Sequence, residues 1–133
     1  MPVMIILALL QRFLTFTDFN MPVVSTDLEN FEQAVLLASH TKPILLDLWA
    51  DWCSPCLVLA PLLEKIAAEY GTQIGVVKLE VDAGDNMKIA GRYQVRGFPT
   101  VMLFRNGVEI SRFSGAKPLH FIREFIDQHS DAA

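Results

Sequence analysis

The chain has 133 residues, enough for one domain with its own core and too few for two of ordinary size. Fifteen acidic against eleven basic residues give a formal net charge of −4 with no Lys/Arg cluster, so the electrostatic footprint of a nucleic-acid binder is missing. With 52% hydrophobic and 20% charged residues the composition excludes disorder, and two cysteines are too few for a disulfide-stapled secreted scaffold.

Residues 1–22 form an N-terminal extension: an extra helix, a flexible segment, or a mis-assigned start ahead of Met21. The uncharged run Pro2 to Leu10 falls well short of the roughly 20 apolar residues a membrane helix needs. A signal peptide needs positive charge before its apolar core and a small-residue cleavage site after it. Here the first charge, Arg12, follows the run, and LTFTDFN offers no such site. No membrane association and a cytoplasmic location are therefore expected, with the domain over residues 23–133 and a monomeric state.

A short strand is expected near Val23 and Val24. Thr26 and Glu29 then stand in capping-box spacing ahead of a helical stripe of Leu28, Phe31, Val35 and Ala38. PILLDLWA is an apolar run of strand length with one carboxylate, Asp47, which suits a central strand covered on both faces. After the two cysteines, Leu59, Leu63, Ile66 and Tyr70 recur at helical spacing until Gly71, with Pro61 inside the pattern as a kink. IGVVKLEV alternates Val76, Lys78 and Glu80 against Val77, Leu79 and Val81, as a strand does. DAGDNMKIAGRYQV reads as a turn and a short helix, and VMLFR and VEISRF are joined by Asn106-Gly107, the strongest short signal for a tight hairpin. Pro118 opens a last helix with Leu119, Ile122, Phe125 and Ile126 on one face. The order β-α-β-α-β-α-β-β-α implies an α/β protein, a mixed sheet flanked by helices on both faces.

Cys53 falls at a strand-to-helix junction and Cys56 one turn in, a spacing that puts both sulfurs on one face within bonding reach. The positive end of the helix dipole stabilises a thiolate at Cys53, making it the expected nucleophile, with Cys56 resolving the mixed disulfide. Three blander readings compete. Structural zinc wants four ligands, and there is no second Cys pair, while the nearest histidine, His40, is thirteen residues upstream. A permanent staple over so short a loop gains little. Two inert core cysteines are set against Pro55 between them at a helix start.

Asp47 either faces outward or is buried with a raised pKa and a proton to transfer. Lys78 is its neighbour if the two strands pair, and an ordinary solvated lysine if they do not. Pro99, in RGFPT, is either a plain turn or a cis proline. Trp52 is either an exposed contact residue or part of the core, and His40, His120 and His129 are scattered singly.

Taken together, LLDLWADWCSPC, Pro61, VVKLEVD, VRGFPTVMLFRNG and FSGAKP resemble the thioredoxin family in order and spacing over about residues 23 to 129. The resemblance implies a thioredoxin fold and a protein-disulfide reductase. Its partners would be disulfide-containing proteins and an NADPH-linked thioredoxin reductase, and no cofactor or metal would be needed beyond the Cys53–Cys56 disulfide. It further implies Cys53 as attacking thiol, Cys56 as resolving thiol, Asp47 as buried proton acceptor with Lys78 beside it, and Pro99 as a cis proline facing the disulfide. Trp52, Ser54, Pro55, Gly97, Phe98, Gly115 and Ala116 would border the substrate groove. An exported oxidant or isomerase, and a binding subunit with dispensable redox chemistry, are the alternatives. The sequence departs from the family at Ser54, usually Gly, at Leu57, commonly basic, and at Phe98, usually aliphatic. Changes at Ser54 and Leu57 bear on driving force, since about 30 mV in potential changes the exchange energy by ~1.4 kcal/mol.

Overall fold

The computed structural model describes residues 22–129, so the expectations for residues 1–21 lie outside the described residues. In chain order the elements are β1 (Val23–Thr26), α1 (Glu32–Leu37, wound as a π-helix), β2 (Ile44–Trp49), α2 (Ser54–Tyr70), β3 (Gly75–Glu80), α3 (Met87–Arg92), β4 (Thr100–Arg105), β5 (Val108–Ser114) and α4 (Leu119–His129). The expected alternation is present throughout.

The five strands lie in the order β1-β3-β2-β4-β5. β3 runs parallel to both β1 and β2, whereas β4 is antiparallel to β2 and to β5. β2 is therefore central, and its residues from Ile44 to Leu48 are all buried, which is why ILLDLW lacks polar alternation. Side chains alternate across the sheet and build two cores. Ile44, Leu46, Leu48, Val77, Leu79, Met102 and Phe104 pack with Phe31 and Val35 from the α1 region and Ile89 and Ala90 of α3. On the other face Leu45, Val76, Val101 and Leu103 pack under Leu59, Leu63 and Ile66 of α2 and Ile122, Phe125 and Ile126 of α4.

Asn106 and Gly107 both have positive φ, 55° and 81°, the conformation a two-residue type I′ hairpin demands. Buried Ser39 anchors this turn: its Oγ accepts from Gly107 N–H at 2.8 Å and its carbonyl accepts from Asn106 N–H at 2.9 Å. α2 runs through Pro61 and ends at Gly71, whose φ of 55° lies in the left-handed region that favours glycine.

The start of the first helical region differs from expectation. Thr26 is still paired with Leu79 as the last residue of β1, so it cannot also cap a helix, and its Oγ1 is buried without a partner among the described residues. Asp27 takes the role instead: its Oδ1 accepts from Asn30 N–H at 2.9 Å and from the Asn30 side-chain amide at 2.8 Å. Asp27→Ala should therefore cost about 1 kcal/mol in urea denaturation. Thr26→Val, which removes an unsatisfied hydroxyl, should be neutral or stabilising. A larger loss for Thr26→Val than for Asp27→Ala would return the cap to Thr26.

Candidate active site

β2 ends at Trp49, and the chain turns through Ala50 to Cys53, whose N–H donates to the Ala50 carbonyl at 3.2 Å. Cys53 has extended backbone (φ −95°, ψ 102°) and is the N-cap of α2, with Pro55 in the first turn, where a missing N–H costs nothing. Its Sγ accepts from the Cys56 N–H at 3.3 Å, so the sulfur does at the helix start what a Ser or Asp oxygen does elsewhere. A negative charge on that sulfur is favoured by the same N–H and by the helix dipole. The two sulfurs are joined as a disulfide, with the Cα atoms 5.3 Å apart. Cys53 and Cys56 are both buried, whereas Ser54, Pro55 and Leu57 are exposed, and Trp52 is 63% exposed, which places it outside the core.

Asp47 lies in the middle of central β2, opposite Lys78 on β3 and Val101 on β4. This is no exposed edge position. Asp47 is 4% exposed and its Oδ1 has no hydrogen-bond partner among the described residues. Strand alternation puts it on the face covered by α2, the helix that carries Cys56. Burial pushes its carboxyl from 3.8 up to about 7, and the nearby Lys78 charge pulls the other way with less effect. Lys78 is half-buried, with its ammonium 5.5 Å from the Trp49 ring centroid, so it attends Asp47 through space without pairing to it.

The loop before β4 supplies the next group. The Phe98-Pro99 peptide is cis, resolving the alternatives left by the sequence, and Pro99 is buried. Its carbonyl accepts from Gly115 N–H at 2.9 Å, tying this loop to the segment after β5. Gly97, exposed, has its carbonyl held by Thr100 Oγ1 at 2.7 Å. Phe98 packs against the core cluster containing both cysteines and meets the Trp52 ring edge-on, centroids 6.3 Å apart. Ala116 is exposed beside half-buried Gly115. The ends of β2, β4 and β5 thus carry the segments expected to form the site.

Two contributors were not anticipated. The Trp52 indole N–H donates to Asp82, thirty residues on, which fixes the exposed ring. Asp82 follows β3 as Trp52 follows β2, and only the parallel pairing of those strands makes them neighbours. Thr100, buried, holds Gly97 and also approaches Ser114 Oγ at 3.3 Å, a cross-strand link visible only once β4 and β5 are in register.

Among the described residues no group of three or more His, Cys, Asp or Glu side chains is placed to hold a metal ion. No helix of the described residues is long and apolar enough to cross a membrane.

A cysteine pair closing into a disulfide at the start of a helix, over a mixed sheet, defines a dithiol-disulfide oxidoreductase. A family model described as Thioredoxin matches residues 22–128. The chain is 46% identical over 95 residues to the thioredoxin of Mycolicibacterium smegmatis, covering 71% of this chain and 82% of that protein. It is 38% identical over 99 residues to thioredoxin 1 of Synechococcus elongatus (74% and 89%), and 37% over 112 residues to the thioredoxin of Haemophilus influenzae (84% and 90%). The chain belongs to the thioredoxin family, and it is a protein-disulfide reductase. Thioredoxins work with disulfide-containing substrates and a thioredoxin reductase, and need no cofactor besides the cysteine pair.

Proposed function

We propose that this chain is a cytoplasmic reductant of protein disulfides, recharged by an NADPH-linked thioredoxin reductase, in which Cys53 attacks and Cys56 resolves. The observation that carries the assignment is the placing of Cys53 as the N-cap of α2 with Cys56 buried one turn later. In the reduced protein the Cys53 thiolate attacks one sulfur of the substrate disulfide, forming a mixed disulfide and expelling the other substrate sulfur as a thiolate. The Cys56 thiol passes its proton to the Asp47 carboxylate. Its thiolate then attacks the Cys53 sulfur, releasing the second substrate thiolate. Two electrons have moved from the protein dithiol to the substrate, leaving the Cys53–Cys56 disulfide.

Support for the acid-base role of Asp47 comes from its burial under α2, its unpartnered Oδ1 and a carboxyl that titrates near 7. Lys78 tunes that carboxyl. Trp52, Ser54, Pro55, Gly97, Phe98, Gly115 and Ala116, with the Pro99 loop, form the surface on which an extended substrate segment lies. Exposed Leu57 extends it where the family commonly has a cation, and so favours apolar over acidic flanks in the substrate.

Cys56→Ser should accumulate a mixed disulfide with a disulfide-containing peptide, and peptide mapping should find the adduct on residue 53. Adducts divided evenly between positions in the single-cysteine variants would sink the assignment of roles. Separately, the oxidised protein should support NADPH consumption by a thioredoxin reductase.

A further inference from the structure

At the end of the sheet remote from the disulfide, an open cleft of about 650 Å³ lies between the sheet and the final turns of α2 and α4. It falls within the size range of small-ligand sites. Arg105, the last residue of β4, lines it from the face that also carries Leu103 and Val101. Two of the guanidinium donors, Nε and Nη1, are buried from solvent and have no hydrogen-bond partner among the described residues. A charged donor in that state carries a desolvation cost with nothing to offset it. The contrast with the other structural arginines is direct. Arg112 is held by Glu109 at 2.5 and 2.7 Å, and Arg123 by Glu69 at 2.9 and 2.5 Å.

Lys42 lines the same cleft and forms no ion pair among the described residues, while Thr72 and Gln73 add uncommitted polar side chains. The Asp127 carboxylate is also there, already occupied by the Tyr70 hydroxyl at 2.8 Å. The charges of Arg105, Lys42 and Asp127 leave a net +1. The carboxyl-terminal ends of α2 and α4 add partial negative charge, so a ligand must be held by direct hydrogen bonds rather than by the general field.

We propose that Arg105, assisted by Lys42, forms a binding site for a small oxyanion, the phosphate or carboxylate group of a ligand, at the opposite end of the sheet from the disulfide. The guanidinium presents several planar donors, so that Nε and Nη1 each have an edge to offer an oxygen, which a lysine in its place does not. β2 spans the distance between the two sites, about 20 Å at ~3.3 Å per residue, so the proposed site is separate from the redox chemistry.

The test follows the Arg105 Nε–Hε signal by NMR in the full chain at pH 6, titrated in parallel with inorganic phosphate and acetate at constant ionic strength. A saturable shift with either anion is expected, and which one binds tells a phosphate ligand from a carboxylate ligand. Arg105→Gln should weaken the binding about tenfold or more and Arg105→Lys should weaken it too, both with unchanged insulin reduction. Lys88→Gln, an exposed lysine elsewhere, should bind as the parent does. An unsaturable response equal for chloride would overturn the proposal. So would a signal that ignores both anions and moves only when residues 130–133 are removed, since the chain would then supply its own counter-ion. The wild-type titration decides even where a variant fails to fold.

Discussion

Cys53→Ser is expected to lower insulin-disulfide reduction by about a thousandfold or more, to the background of uncatalysed exchange. The hydroxyl is isosteric with the thiol and a better N-cap acceptor, so α2 should start as before and the fold should survive. What disappears is the only sulfur among the described residues placed both at the helix N-terminus and beside the Trp52-Phe98 surface. Cys56 does not substitute for it, because Cys56 is 1% exposed and reaches only Cys53. The variant should denature as the reduced parent does, with no turnover and no stable adduct with a substrate peptide. Retention of even a tenth of the parental rate would mean that Cys53 is not the attacking group.

The second large effect belongs to Asp47. A group held near 7 in the folded protein and near 3.8 in the unfolded chain binds more protons when folded. Its contribution to stability is whole below about 4, declines as pH rises through the interval up to about 7, and is constant above. A difference of about three units at ~1.36 kcal/mol each makes the ionised carboxylate cost on the order of 4 kcal/mol. Asp47→Asn keeps shape and polarity while removing the ionisation. Oxidised Asp47→Asn and parent should denature alike at pH 4. At pH 8 the variant should be more stable by on the order of 4 kcal/mol. Curves within about 1 kcal/mol of each other at pH 8 would contradict the burial of a titrating carboxylate.

The same variant should pay in rate, because Cys56 loses its proposed proton acceptor. Resolution of the mixed disulfide should slow by about tenfold or more at pH 7. The rise in rate that accompanies deprotonation of Asp47 should vanish, leaving only the rise that follows the thiol itself. Stability gained and turnover lost in one substitution separates a positioned base from a residue of purely structural value.

Much of this architecture is legible along the chain because it rests on local rules. ILLDLW announces a strand buried on both faces, and Asn106-Gly107 announces a turn whose two positive φ angles only such residues adopt readily. The cysteine pair is equally local, since its spacing and its place ahead of an apolar helix define the chemistry. What stays hidden depends on strands meeting. Thr26 fits a capping box on paper and loses the part because β3 claims it for the sheet, leaving Asp27 to cap. The surroundings of Asp47 follow from a strand order that no stretch of sequence spells out. Asp82 reaches Trp52, and Thr100 reaches Gly97 and Ser114, through the same pairings. Arg105 looks like any strand-end cation until three dimensions show two of its donors buried and unpartnered among the described residues.

The hydrogen bond from Gly115 to the Pro99 carbonyl has a bearing on the order of synthesis. Both cysteines leave the ribosome well before Pro99 and Gly115, and before β4 and β5 complete the sheet around β2. Until β4 arrives, Asp47 lacks the strand that sets Val101 opposite it, and the sheet beneath α2 is incomplete. The Pro99 loop and the β4 flank of Asp47 therefore join the cysteine pair last, after the helix start that favours a thiolate at Cys53 has been made.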